Sequence, residues 1–523
     1  MKKRILMLGA GFMQGVAMRC ARERGWEIVA IDGNPDAPCR SLADRFEPID
    51  LKDQEAIEHF ALSLKENGGL DGVFTAATDF SVSVARAAHA CGLPGHSPEA
   101  ARNASDKLRM RECFARAGVP SPAFTGVDRD SAPRALKFLR DRGISFPVVV
   151  KPCDNMGARG CRLVRDEADL APAIDDAIRY SRSGFAIVEQ YMEGPEYSIE
   201  ALVYDGKIHL TGLADRHIFF PPYFIEMGHT IPARLSELDR RSLIETFERG
   251  IRALGLSHGA AKGDVKLTPS GAMIGEIAGR LSGGYMSGWT FPYSSGIDLT
   301  GAALDLCVGK RPSSLEPSHD WTSAERAWIS IPGIVKTVSG YNDARALPYM
   351  RDVFPRAERG SRVSFPVNNV EKCGNCLACA PERELAVKAA EDACRSIVVR
   401  LEPNNPDTEA FLAGGLRGSG AFPPDAFAVP LGISFTPTVA YRLRDHAISV
   451  PSGLIDLMDT ARDWQGRTIA QTIEQAVCIE PGLAAAFAAD ASSTIASDAA
   501  RYWEALARGG LQAVLYRYDC ANG

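Results

Sequence analysis

The sequence predicts a multidomain chain that mixes the α/β and α+β classes. Three observations carry this. The first hundred residues alternate apolar strands with amphipathic helices, the pattern of parallel βαβ units. Farther along, Asp205-Gly206 and the Pro-Ser-Gly of residues 269–271 sit between strand-like stretches and mark antiparallel hairpins. The length, 523 residues, is enough for three or four domains at roughly 150 residues each.

In order, RILMLGAG reads as a buried strand, MQGVAMRCARERG as a helix and WEIVAIDGNP as a second strand. LKDQEAIEHFALSLKENG follows as a helix and GLDGVFTAATD as a strand. Residues 97–146 read as a helical link with a Pro-rich stop. FPVVVKP, the loop CDNMGARG and CRLV form a hairpin. FAIVEQYM and EYSIEALVYDGKIHL are strands, residues 237–254 a helix, and AKGDVKLT–PSGA–MIGEIA another hairpin. PSSLEPSHDW, from 311, reads as a linker, and 326–402 as a mixed α+β unit. The Gly-, Pro- and Asn-rich stretch from 404 marks a boundary. Beyond it the chain reads as mostly helical, Ala-rich after 480, with QAVLYRY as a closing strand.

Hydrophobic residues make up 46% and charged residues 24%, which excludes a disordered, collagenous or coiled-coil chain. A net charge of −6 gives no reason to expect a nucleic-acid partner. Thirteen cysteines are too sparse for a disulfide scaffold and predict reduced thiols in the cytoplasm. The start MKKRILMLGAGFM has a short apolar run without a cleavage site, so no secretory leader is expected. No apolar run is long enough to predict a membrane span.

The chemistry concentrates in KGDVKLTPSGAMIGEIAGR. A turn near Ser270 and Gly271 places Asp264 opposite Glu276, where cross-strand side chains share one face. Two facing carboxylates repel unless a cation lies between them, and a pair of oxygen ligands with room for phosphate and water suits Mg²⁺. The hairpin alone leaves a second reading open, a solvated edge neutralised by Lys262 and Lys266. Lys107 follows Ser105-Asp106 at a helix start. Lys151 ends an apolar strand beside the loop of Gly157 and Gly160, whose backbone amides suit an anion.

The ordered set ASDKLRMRECFARAGVPSP, FPVVVKPCDNMGARG, VEQYMEGPEYSIE and KGDVKLTPSGAMIGEIAGRLSGG resembles the ATP-grasp superfamily of carboxylate–amine ligases. The resemblance covers residues 1–405. It implies a Rossmann-like pre-ATP-grasp domain (1–100), a two-lobed ATP-grasp domain (101–310), an α+β lobe (311–405) and a mostly helical extension (406–523) without an assigned role. By position, Lys107, Lys151, Gly157 and Gly160 are implied to hold the ATP phosphates. Glu189, Gln190 and Met192 are implied to hold adenine, and Glu196 the ribose. Asp264 and Glu276 are the implied Mg²⁺ ligands, with Mn²⁺ as a substitute. Arg280, Lys151 and Lys262 form the implied catalytic set.

One departure matters. Many members of the superfamily have Asn where this chain has Ala278, which implies either that water or phosphate completes the metal shell or that metal binding is weakened and activity altered. The segment DRHIFFPPYFIEMGHTIPARL resembles the substrate loop of the L-amino-acid ligase branch, which includes carnosine-synthase-like enzymes. That implies an amino acid contacted by Glu226, His229 and Arg280. The expected function is an ATP-dependent ligase joining a small-molecule carboxylate to an amine through an acyl phosphate, with a homodimer allowed. The alternatives are a carbamoyl-phosphate-synthase-like or carboxylase-like enzyme and a non-catalytic nucleotide-binding regulator.

Two other motifs are set aside. Gly9-x-Gly11 with Asp32 suggests a dinucleotide fingerprint, but the third glycine comes one place late. Cys373, Cys376 and Cys379 are spaced as metal ligands, but they lie in the apolar strand CGNCLACA and read as small buried residues.

Overall fold

The computed structural model describes residues 2–444, 447–487 and 496–522. The chain forms two compact units. The first contains Met1–Ile218, Gly228–Glu325 and Cys379–Ala386. The second contains Phe219–Met227, Arg326–Ala378 and Val387–Gly523.

The first unit begins with a parallel sheet. Its order is Arg45–Glu47, Glu27–Ile31, Arg4–Leu8, Gly72–Phe74. Apolar runs such as Arg4–Leu8 are covered on both faces, and helices Gly15–Glu23 and Gln54–Glu66 supply crossovers. Asp32, a residue of the set-aside fingerprint, has a structural task. Its carboxylate accepts from the amides of Ala10 and Asn34, both at 2.9 Å, and so fixes the first strand-to-helix turn.

A second sheet, antiparallel, has the order Phe124–Val127, Ala186–Gln190, Val148–Pro152, Arg162–Val164. The strand Phe124–Val127 falls inside the segment expected to be a helical link. That segment is helical at Pro98–Ser105 and Lys107–Ala117 but turns extended beyond the Pro120–Pro122 stop. The antiparallel hairpin predicted for FPVVVKP and CRLV is present, in register Val148 with Val164.

The third sheet of this unit carries the site. Strand Gly271–Ala278 pairs with Gly259–Thr268, which pairs with Glu196–Tyr204, which pairs with Lys207–Phe219. Asp205 and Gly206 turn the last pair tightly, both at positive φ (52° and 72°), the mirror-image turn that Asp-Gly favours. Alternation sorts the faces. Tyr197, Ile199, Ala201, Ala261 and Val265 pack on helix Glu237–Leu254 through Leu243, Phe247 and Ile251. Gly263 permits that contact, because a Cβ there would lie 2.6 Å from the Phe247 ring. Glu196, Ser198, Glu200, Lys262 and Asp264 occupy the other face.

In the second unit, Gly333–Ser339 is flanked by Arg362–Val363 and Val398–Leu401, all antiparallel. Met350–Pro355 pairs with Gly374–Ala380, Val353 opposite Cys376. The boundary expected from 404 holds a helix, Pro406–Ala413, which Asn405 caps and which buries Phe411 and Leu412. The C-terminal region adds strands Pro437–Arg442 and Ala447–Pro451 and helix Ile469–Ile479. The expected closing strand QAVLYRY is helical, part of Ala496–Asn522, with Gly510 breaking the helical path at φ 60°, ψ −148°. Leu511, Val514 and Leu515 turn inward at helical spacing, so core packing overrides the strand-like composition. Of the Ala-rich stretch, residues 488–495 lie outside the described residues. No helix among the described residues is long and apolar enough to cross a membrane.

Candidate active site

Asp264 and Glu276 are cross-strand partners, as expected, but the pairing arises by another route. The turn is the two-residue loop Pro269–Ser270, with Thr268 opposite Gly271. Continued regularly, it would set Asp264 against Gly275. A bulge between Asp264 and Val265 in the pairing leaves Gly275 over and brings Glu276 opposite Asp264. Both acids then share one face.

Their surroundings differ. Asp264 is deep, with its side chain 13% exposed. It accepts from Ser198 Oγ at 2.9 Å, pairs with Lys262, and lies 3.2 Å from Arg216 Nη1. Glu276 keeps 37% of its side chain exposed and faces Lys107 Nζ at 3.4 Å. Burial alone would raise the Glu276 pKa, but Lys107, then Lys151, hold it below the ordinary carboxylate range. Lys107 is buried, yet Glu276 and Asp79 keep its ammonium protonated to a higher pH than usual. The pair is therefore charged at neutral pH and held among cations.

Lys107 also reaches the Gly-containing loop, donating to the Asn155 carbonyl at 2.8 Å, while its amide donates to Cys153. Gly157 and Gly160 both adopt positive φ there, and a Cβ on Gly160 would meet the Tyr180 ring at 2.9 Å. Lys151 Nζ lies 2.6 Å from Glu189 Oε2. Arg111 Nε approaches the other oxygen of Glu189 at 2.7 Å, and Arg111 Nη2 donates to the Gly275 carbonyl at 2.6 Å. Arg111 is wholly buried and was not singled out from the sequence. It links the carboxylate that holds Lys151 to the bulge that presents Glu276. Glu189, expected at adenine, is thus committed to two cations.

The other expected nucleotide contacts are spread along one edge. The amides of Gln190 and Tyr191 donate to the carbonyls of Ala123 and Pro147. Lys266 donates to the Met192 carbonyl at 2.9 Å and lies 5.0 Å from the Tyr191 ring centre. Glu196 pairs with Arg216 and, at 3.9 Å, with Lys266. So Lys262 does neutralise an acid of the hairpin, whereas Lys266 serves Glu196 and Met192.

Behind Asp264 runs a buried polar chain. Ser198 Oγ lies 3.4 Å from His229 Nε2, and His229 Nδ1 lies 2.9 Å from Glu325. His229 is 1% exposed. The segment 215–235, expected as a substrate loop, is largely the strands Lys207–Phe219 and Ile225–Ile231. Three residues apart on a strand, Glu226 and His229 take opposite faces. His229 belongs to the first unit and Glu226 to the second, where its amide donates to Asn369 and its carbonyl accepts from Lys372.

Arg280 follows the hairpin and donates to Leu281 at 3.1 Å. Arg280 lines a cavity of about 70 Å³ with Thr75, Ser81, His96, His258 and Cys307. Nearby Asp79 is raised above its ordinary pKa by burial, although Arg280 and Lys107 counter the shift. Ala278 is buried opposite Lys262. Cys376 and Cys379 lie on the strand Gly374–Ala380, and they and Cys373 are buried.

No group of three or more His, Cys, Asp or Glu among the described residues is placed to hold a metal ion. Two facing carboxylates ringed by lysines fit an oxygen-seeking cation that brings its other ligands along as phosphate and water.

Residues 144–288 match the model of the ATP-grasp domain, and residues 327–402 that of the L-amino acid ligase C-terminal domain 2. The chain carries an ATP-grasp domain and an L-amino acid ligase C-terminal domain. Chicken (Gallus gallus) carnosine synthase 1 is 28% identical over 331 residues, 59% of this chain and 36% of that protein. The Sinorhizobium fredii protein y4rH is 26% identical over 360 residues, 68% of this chain and 73% of its own length. This chain thus spans about a third of the carnosine synthase it matches. Among solved structures, the L-amino acid ligase of Bacillus licheniformis superposes with a TM-score of 0.67 at 21% identity, covering 77% of this chain and 99% of that one. That likeness is one of fold.

Several residues of the site escaped the sequence reading. Ser198 and Glu200 were legible in the alternation of EYSIE, which sends every second residue to the face of Asp264. Arg216 is the cross-strand partner of Glu196. Arg111 had no local signal, since Arg109 and Arg116 on the same helix are exposed.

Proposed function

We propose that this protein is an ATP- and Mg²⁺-dependent ligase that joins a carboxylate to an amine, with an amino acid as one substrate. The observation that supports it most is Asp264 facing Glu276 on one side of a hairpin, with Lys107 and Lys151 beside them.

In this reading Lys107, Lys151 and the amides of the Gly157–Gly160 loop hold the triphosphate. Glu189, gripped by Arg111, orients Lys151. The segment from Gln190 to Met192 borders adenine, and Glu196 the ribose. Asp264 and Glu276 hold Mg²⁺, which supplies charge neutralisation on the phosphate oxygens; Mn²⁺ can replace it. A carboxylate oxygen of the acid substrate attacks the γ-phosphorus as the bond to ADP breaks. The amine then attacks the acyl carbon, the C–O bond breaks, phosphate leaves and the amine proton is released. Lys151 and Arg280 offset the charge that builds on the transferred group, while Lys262 neutralises Asp264 before the metal arrives, so catalysis is chiefly positioning and electrostatics. Glu226 stays a proposed amino-acid contact, and His229, which is buried, acts on the site only through Ser198.

The same reading divides the chain at 1–100, 101–310, 311–405 and 406–523, places it in the cytoplasm and allows a homodimer. A carbamoyl-phosphate-synthase-like activity has narrower support. The Kocuria rhizophila large chain is 30% identical, but over 42% of this chain and 21% of its own length. The test is an array of acid and amine pairs scored for ADP release. Release that requires both partners is expected; release without either, or none with any amino-acid pair, contradicts the proposal.

A further inference from the structure

Glu200 stands apart from the machinery just described. It is 2% exposed, on the strand Glu196–Tyr204, two places beyond Ser198. One oxygen, Oε1, accepts from the Ser282 amide at 2.8 Å and from Ser287 Oγ. The other, Oε2, is buried with no hydrogen-bond partner among the described residues. A carboxylate oriented so firmly on one side and left empty on the other is unfavourable by itself.

Its cross-strand partner is Lys262. Lys262 lies between two neighbours in register, Glu200 on one strand and Ala278 on the other. The methyl of Ala278 leaves the lysine stem room to turn. At present the ammonium pairs with Asp264, two residues on along its own strand. Arg216 lies on the same carboxylate. A divalent cation arriving at Asp264 would meet that ammonium directly, and two cations cannot share the oxygen without strong repulsion.

We propose that Glu200 is a positioning residue, the alternate seat of the Lys262 ammonium, receiving it when a divalent cation takes Asp264. The inference rests on the metal reading given under Proposed function. The motion is a change of side-chain rotamer between two carboxylates on one sheet face. It gives Glu200 Oε2 its missing partner and removes a competitor from the metal site. Burial raises the Glu200 pKa, and the arriving ammonium offsets that cost.

The test measures Mn²⁺ binding to the protein with saturating ADP, by electron paramagnetic resonance, alongside ADP affinity in chelator. Glu200→Gln keeps an acceptor for Ser282 and Ser287 but cannot receive an ammonium as a counter-charge. It should weaken Mn²⁺ about tenfold, the worth of one charge-assisted hydrogen bond, and leave metal-free ADP affinity unchanged. In a Lys262→Met background, the same Glu200→Gln change should have no effect on Mn²⁺. Wild-type Mn²⁺ affinity in Glu200→Gln overturns the inference, as does an equal loss in both backgrounds. If the wild-type protein shows no ADP-dependent Mn²⁺ binding, the metal reading itself fails and takes this inference with it.

Discussion

Arg111 in the first unit and Arg508 in the second are both fully buried, yet they are held in different ways. Arg111 meets Glu189, which also holds Lys151, on elements that border a face with exposed charge. Arg508 lies 3.9 Å from the Phe411 ring and is gripped by the carbonyls of Phe411, Pro423 and Pro424 and by Asp425. The first arrangement is a network of shared charges, in which Glu189 bridges Arg111 and Lys151 and Glu276 is held by Lys107 and Lys151. The second is a clamp that ties helix Ala496–Asn522 to a loop through backbone oxygens. Burying a charge costs solvation in either case. Exchangeable partners leave it available to a ligand, whereas carbonyls from a fixed loop spend it on structure.

The contrast is sharpest where chemistry is proposed. Glu276→Ala should reduce Mg·ATP-dependent turnover by about a thousandfold or more, since it removes charge stabilisation aimed at the reacting centre. Steady-state ADP release checks this, and an unfolding transition matching wild type excludes collapse. Normal turnover would break the distinction between the two units.

Next come the arginines themselves. Arg508→Met should destabilise the second unit by about 3–5 kcal/mol, the cost of stranding a buried partner, with nucleotide affinity unchanged. Arg111→Met should do both, lowering stability by a similar amount and weakening ATP binding through a displaced Lys151. Thermal melts and isothermal titration with ATP separate the cases. Equal nucleotide effects from both variants would erase the comparison.

A smaller effect is expected at Glu226. Glu226→Ala should damage use of the amino substrate, seen in its KM, more than ATP affinity. Unaltered substrate kinetics would remove it from the pocket.

The smallest is a pH effect at His96. Burial depresses its pKa to about 4, against the help of the Ala260 carbonyl, so the folded protein holds it neutral. The unfolded chain takes up that proton at about pH 6.5. Its contribution to stability is therefore whole above pH 6.5 and falls as pH drops toward 4. His96→Gln should flatten the melting-temperature profile across that window, and an unchanged slope would contradict the assignment.

Much of the architecture was legible in the sequence because period and turn chemistry agree. Asp205-Gly206 fixed one hairpin, and the helix 237–254 was bounded by the Ser236 cap and Gly255. The opposition of Asp264 and Glu276 was anticipated by counting from a turn one residue off, and the bulge that leaves Gly275 unpaired restored the register. The C-terminal helix was misjudged because Val514, Tyr516 and Tyr518 have strand-like side chains, while the packing that makes them helical is tertiary. The roles of Arg111 and Glu189 were hidden for a like reason. One lies on a helix and the other on a strand 78 positions later, and only the fold brings them together.

The central claim is that Asp264 and Glu276 jointly seat a metal–nucleotide complex. Isothermal titration of ADP with and without Mg²⁺, in wild type and in Glu276→Gln, tests it directly. The account predicts that Mg²⁺ tightens ADP binding at least about tenfold in wild type and that Glu276→Gln abolishes the difference. Equal affinity with and without Mg²⁺ in wild type, or full Mg²⁺ enhancement in the variant, would contradict it.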